Sequence, residues 1–180
     1  MSDFYISEPM ATVPESYKSP IQQTIFETLT QLRIPFLRVD TDDGTTMEAC
    51  VPIGARLENP VVKTVFVTNR QQTLFWLYIM SPNKPFVTRD FCGALGIARV
   101  SFASEDHLVG MMGTLHGAIT VLALVGDKEH RIQLVIDKPI AESQFLSCTD
   151  GTNTGFVRLR VSDLLMNYLP YTGHVPIVIQ

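Results

Sequence analysis

The sequence predicts a single α+β domain: a mixed, mainly antiparallel sheet surrounded by helices. Three observations predict it. The chain has 180 residues, 46% hydrophobic and 18% charged, enough for one substantial core and too apolar for extensive disorder. Pairs of strand-like runs are joined by short polar turns more often than by helical crossovers. No internal repeat and no linker divides the chain.

The elements follow in order. Residues 1–19 form a Pro- and Ser-containing arm without periodicity, expected to be loosely attached. Ile21, Ile25, Leu29 and Leu32 then fall on one helical face, with Ser19 as N-cap and Pro20 in the first turn. Pro35 ends this helix, Phe36–Val39 alternates like a short strand, and Asp40–Thr45 reads as a solvated turn. Thr45 and Glu48 have the spacing of a capping box for a helix that fades near Gly54. Val62–Thr68 and Leu74–Met80 read as strands of a hairpin connected through Asn69-Arg-Gln-Gln. After the break at Pro82-Asn-Lys-Pro, Thr88 caps a short helix ending at Gly96, and Ser104 caps another running to Met112. Ile119–Val125 and Arg131–Asp137 read as strands around a Gly-Asp-Lys-Glu-His turn. Gln144–Cys148 and Gly155–Arg160 form a further pair around Asp150-Gly-Thr-Asn. Ser162 caps a last helix over Asp163–Leu169, stopped by Pro170. The organisation predicted is an arm (1–19), a domain (20–170) and a tail (171–180) whose apolar end, Val175-Pro-Ile-Val-Ile, suits docking onto the domain or a partner.

Composition excludes several function classes. A net charge of −4 argues against a protein that coats nucleic acid, though a few local cations could still grip a nucleic-acid end. Cys50, Cys92 and Cys148 are widely spaced without a CxxC, so neither a zinc site nor a disulfide framework is indicated. The four histidines lack metal-ligand spacing, and His130 and His174 read as structural or surface residues. There is no GxGxxG and no Walker A motif. The odd cysteine count and an N-terminus without a basic, apolar leader suggest a reducing cytoplasm, and no run is long enough to span a membrane.

Three positions could carry chemistry. Lys63 is the only charged side chain between Glu58 and Arg70 and opens a β-branched run that reads as buried on both faces. A lysine there either snorkels to water or points a compact cation into a cleft, where it can hold an anionic substrate or a developing oxyanion. Gly117 lies where the chain turns from a loop into an apolar run, so it can reach positive φ and open its backbone to a ligand. Cys148, beside Thr149 and Asp150, is either a small buried hydrophobe or a thiol nucleophile; the latter needs a cationic neighbour.

Lys63-Thr-Val-Phe-Val and Gly117-Ala-Ile-Thr-Val occupy the positions of two lysine and glycine signatures. With Thr46-Met-Glu-Ala-Cys50, Asn69-Arg-Gln-Gln72, Leu95-Gly96, Arg99–Glu105, Asp127–His130, Val135–Asp137, Asn153-Thr154 and Ser162–Leu165, they give ordered blocks from about residue 20 to 170. On these blocks the chain resembles the ProX/YbaK-type aminoacyl-tRNA deacylases, free-standing relatives of the editing domain inserted in bacterial prolyl-tRNA synthetases. Its likeness is to the branch that removes alanine from mischarged tRNA(Pro).

The resemblance implies that fold, hydrolysis of an aminoacyl ester, and the tRNA acceptor end as partner, with prolyl-tRNA synthetase as a further one. It implies no cofactor and no metal. It places the essential lysine on Lys63 and the substrate-loop glycine on Gly117, followed by Ala118 in the same loop, and it matches Asn153 to an asparagine at the pocket rim. Two positions depart from the family pattern. Thr64 stands where asparagine usually follows the lysine, and Thr149 stands within Cys148-Thr149-Asp150 where the prolyl-linked branch has Cys-His-Pro. Both are expected to bind substrate, and both open the alternative of a weakened or inactive module that binds an aminoacyl or nucleotide end. Arg56, Arg70, Lys84, Arg89 and Arg99 are candidates for a cationic rim around such an end.

Overall fold

The strands sort into two sheets. The computed structural model describes residues 3–180. The larger sheet has five strands in the order β4-β2-β3-β5-β8, with β2 Lys63–Asn69, β3 Phe75–Met80, β4 Val100–Phe102, β5 Ile132–Asp137 and β8 Ile177–Ile179. β2 pairs antiparallel with β3 and β4, while β3–β5 and β5–β8 are parallel. The smaller sheet is antiparallel, β1-β7-β6, built from β1 Phe36–Asp40, β6 Phe145–Thr149 and β7 Gly155–Arg160. A parallel bridge between Val61 and Ser147 ties the two sheets, with the Val62 N–H donating to the Ser147 carbonyl at 2.9 Å. The pairings are thus mixed and mainly antiparallel, as expected.

Period-two alternation explains how the larger sheet is covered on both faces. Phe75, Leu77 and Ile79 of β3 point into a main core with Phe66, Leu134 and Ile136, roofed by helices α1 Pro20–Gln31 and α4 Glu105–Met112. Trp76, Tyr78 and Met80 point the other way, with Val65 and Val67, against Phe91 and Cys92 of α3 Thr88–Leu95. A third cluster packs Ile53 and Leu57, from α2 Met47–Arg56 and its C-cap, onto Val39 and Phe156 of the smaller sheet.

Ser19 and Ser104 cap their helices as expected, each hydroxyl accepting a backbone N–H three residues on. Two caps shift. The α2 N-cap is Thr46, whose hydroxyl accepts from the Ala49 N–H at 3.1 Å, which frees Thr45 for another contact. The α3 N-cap is Val87 and makes no side-chain bond, so Thr88 lies inside the helix.

Larger corrections lie where burial hides periodicity. The strand expected over Ile119–Val125 is a 3-10 helix, Val121–Gly126, opened by the Thr120 hydroxyl, which accepts from the Leu122 N–H at 3.2 Å. Val121 through Val125 are all buried, and an apolar run enclosed on every side carries no period to separate strand from helix. The expected hairpin with β5 is therefore absent, and β5 lies parallel to β3 instead. Pro170 does not stop the last helix. Segments Val161–Asp163, a π turn Leu164–Tyr168, and Leu169–Thr172 run on to Gly173, at φ +80°. The π turn shifts the hydrogen-bond ladder by one residue, so Pro170 falls in the first turn of the final segment, where a missing N–H is tolerated.

Both termini join the fold. The arm expected to be loose bridges β1 through Ile6–Thr41 and Met10–Arg38, and the Arg38 guanidinium donates to the Thr12 carbonyl at 2.6 Å. The tail supplies β8.

Candidate active site

β4 covers only part of the outer edge of β2. It pairs with Val67, Thr68 and Asn69, and the Ala103 N–H then bonds the Phe66 carbonyl. Beyond that point the edge opens into a cleft of about 190 Å³. Val61 to Val65 form one wall, and Gly44, Thr45, Met47 and Cys50 a second. His116, Gly117 and Ile119 form a third, with Cys148 and Thr149 on the floor. This volume is below the roughly 300–1,000 Å³ of pockets that hold drug-sized ligands, so the cleft suits one small group.

Lys63 is half-buried at the mouth of β2, and its ammonium donates to the Lys84 carbonyl at 3.2 Å. Among the described residues no carboxylate pairs with it, leaving two of its three donors for a ligand. Its one anchor is itself fixed. The Lys84 ammonium bonds Asp137 on β5 at 2.8 Å and Tyr78 on β3 at 3.1 Å, and Tyr78 also bonds Asp137. Burial draws the Lys84 pKa down, but its bonds to Asp137 and Tyr78 more than offset this and leave it raised. Burial and the Asp137 bond push the Tyr78 hydroxyl up to about 12.

Gly117 faces Lys63's wall from the loop after α4, at φ +91°. A Cβ built there would stand 2.8 Å from the Thr45 Cγ2, so the shifted α2 cap and this glycine belong to one close approach. The Thr149 hydroxyl donates to the Ala118 carbonyl at 2.9 Å and accepts from the Gly151 N–H at 3.3 Å. It pins the Gly117 loop to the end of β6.

Lys63, Thr64, Gly117 and Thr149 therefore meet in one cleft. Ala118 and Asn153 do not line it. Ala118 is buried within the loop, and the Asn153 carbonyl accepts from the Gly44 N–H at 2.9 Å while its side-chain Oδ1 is buried without a partner among the described residues. The expected cationic rim is also revised: Lys84 is committed to Asp137 and Arg56 to Glu8, while Arg70, Arg89 and Arg99 are exposed and outside the cleft. Sequence reading gave Gly44, Thr45 and His116 no place in the cleft, which they line. The only signal was their position beside a helix cap and beside Gly117.

Cys148 is buried and its thiol is pushed up to about 12 by burial, the opposite of an activated nucleophile. Burial also raises the Asp150 carboxyl, despite bonds from Thr152 and Gln22. Among the described residues no three His, Cys, Asp or Glu side chains gather to hold a metal ion, and no helix is long and apolar enough to cross a membrane. A second cleft of about 410 Å³, mostly apolar, shares Met47, Cys50 and Val61 with the first.

Comparison with known proteins bears on the family and the fold. A zebrafish (Danio rerio) protein described as prolyl-tRNA synthetase associated domain-containing protein 1 is 24% identical over 161 residues, 88% of this chain and 86% of its own. The prolyl-tRNA editing protein ProX of Acetoanaerobium sticklandii is 22% identical over 143 residues, 79% of this chain and 87% of its own. A solved structure described as a trans-editing enzyme candidate for prolyl tRNA synthetase superposes with TM-score 0.67 at 13% identity, over 91% of this chain and 99% of that one. That likeness establishes the fold. The model of the aminoacyl-tRNA editing domain matches residues 41–166, well over half of the sequence, and the chain belongs to that family.

Proposed function

We propose that this protein hydrolyses the ester of a mischarged tRNA, with Ala-tRNA(Pro) as the substrate. The observation that carries the proposal is the Lys63 ammonium, free of any carboxylate among the described residues, in a small cleft opposite the positive-φ loop at Gly117.

An aminoacyl ester is already activated, and a ribose hydroxyl lies beside the scissile bond. Hydrolysis then needs a held 3′ end, a positioned water and a donor for the oxyanion, with little acid–base machinery. Water attacks the carbonyl carbon, the bond to the ribose oxygen breaks, and that oxygen leaves with a proton. The amino acid and an uncharged 3′ end are the products. In this reading Lys63 holds the ester region or the terminal phosphate, and the Gly117 backbone orients the aminoacyl group or the water. Thr149 and Ala118 fix the loop, and Asn153 fixes Gly44 opposite. The larger apolar cleft beyond Met47 gives the terminal nucleoside a place to lie.

The small cleft supports selection by size. It takes alanine and excludes larger side chains by overlap, whereas one methylene of lost contact separates substrates by only ~1–3 kcal/mol. The net charge of −4 is compatible with a protein that touches mainly the acceptor end.

A panel of mischarged tRNAs tests the reading. Free alanine released from Ala-tRNA(Pro), ahead of the other esters, is the expected result. Binding without release of any amino acid would make the protein a recognition module on the same scaffold.

A further inference from the structure

Backbone parity along β2 singles out Thr64. The Val62 N–H reaches outward to Ser147, and the Phe66 carbonyl reaches outward to Ala103. The Asn69 N–H, in contrast, turns inward to Leu74 of the hairpin. Even-numbered residues of this strand therefore direct their N–H and C=O to the outer edge, and odd-numbered ones direct theirs to β3. Thr64 lies between the two outward-bonded residues, just where β4 has ended and the cleft begins. Neither its N–H nor its carbonyl has a partner among the described residues. An unpaired donor and acceptor on a sheet edge form a template for another extended unit.

We infer that Thr64 binds the aminoacyl group through its backbone, as one strand residue binds another. An α-aminoacyl ester is a single residue in outline: an ammonium, one carbon, and a carbonyl. Laid antiparallel against Thr64, its carbonyl oxygen accepts from the Thr64 N–H and its ammonium donates to the Thr64 carbonyl. Such a pair exchanges both bonds at a Cα–Cα distance of roughly 5.5 Å. The N–H then serves the ester oxygen as it becomes an oxyanion, beside Lys63. The carbonyl favours a free α-ammonium over the amide N–H of an N-blocked residue, because the bond to the ammonium is charge-assisted. Side chains of such a pair stand on one face, which here carries Val62, Ile119 and Cys148, so these three residues bound the amino-acid side chain. The departure from asparagine to threonine at this position leaves the device intact, because the backbone carries it.

This inference rests on the deacylase reading for its substrate, and the experiment separates the two. The probe is 3′-deoxy-3′-(alanylamino)adenosine, a non-hydrolysable analogue, added to 15N-labelled wild-type protein while the Thr64 amide is followed by NMR. The same titration uses its N-acetyl derivative. In parallel, Thr64→Pro, which removes the N–H at an edge position where the ladder with β3 does not use it, is compared with Thr64→Ala for turnover of Ala-tRNA(Pro). The expected results are a large shift of the Thr64 amide with the free-ammonium analogue, at lower concentration than with its N-acetyl derivative, and a kcat for Thr64→Pro ~10²–10³-fold below that of Thr64→Ala. Turnover by the wild type with an unmoved Thr64 amide would overturn the edge site alone. A moved amide without turnover of any ester would overturn the deacylase reading and keep the site. The NMR arm stands even if Thr64→Pro fails to fold.

Discussion

Gly117 is the residue at which backbone strain and chemistry meet most closely. At φ +91° any side chain is strained, and a methyl would press on Thr45. Gly117→Ala is expected to cost about 1–3 kcal/mol in urea unfolding, and to lower turnover by more than the lost stability explains, because the loop opposite Lys63 has to shift. Asp127 makes a structural counterpart. Burial pushes its carboxyl up, but the hydrogen bond with His174 and the N–H groups of Ile132 and Arg131 more than offset this and hold it below the ordinary value of 3.8. A carboxyl lowered on folding contributes stability above its unfolded value, and loses it as pH falls through the folded one. Asp127→Asn is therefore expected to lower stability by about 1–3 kcal/mol at pH 7, with the gap to wild type closing below about pH 3.8. At this scale Lys63 and Gly117 were legible in the sequence, one as a lone charge in an apolar strand and the other as a glycine before an apolar run. Ala118 and Asn153 lie beside the cleft and not on its lining, a distinction that residue type does not carry. The edge parity at Thr64 becomes visible only when both flanking partners, Ser147 and Ala103, are known.

Strand β8 and the Lys84 segment show how elements outside the cleft hold it. Asp137, 1% exposed, is paired by Lys84, whose carbonyl in turn receives the Lys63 ammonium. Lys84 also reaches the Gln180 carbonyl at 3.4 Å, so the end of the chain is tied to the same knot. Lys84→Met leaves Asp137 buried with Tyr78 alone. The expected loss is about 1–3 kcal/mol in thermal or urea unfolding, toward the low end because the ammonium is partly solvated and screened. Deacylation should also fall, through a raised KM if Lys63 mainly holds the 3′ end. An unchanged KM with unchanged stability would remove Lys84 from this account. Elements with side-chain caps, such as α1 and α4, or with β-branched and aromatic runs bounded by a polar turn, such as the β2–β3 hairpin, were readable. The 3-10 helix Val121–Gly126 was not, since complete burial erased its period, and the π turn was not, since Pro170 carries the usual meaning of a stop.

For the whole molecule, the cleft exists because two sheets meet through a pairing that their sequences do not announce. One bridge at Val61–Ser147 brings the mouth of β2 beside the end of β6, and so sets Lys63 and Thr64 next to Cys148 and Thr149. The fold class and the antiparallel bias were readable from hairpin turns. The division into two sheets was not, because long-range pairing leaves no local mark. The account as a whole depends on the Lys63 ammonium acting on an ester in that cleft. Single-turnover release of alanine from Ala-tRNA(Pro), by wild type and by Lys63→Ala of matched folding, tests it most directly. The account predicts a loss of at least ~10²–10³ in rate for Lys63→Ala with its circular dichroism unchanged; near-normal release by the folded variant would contradict it.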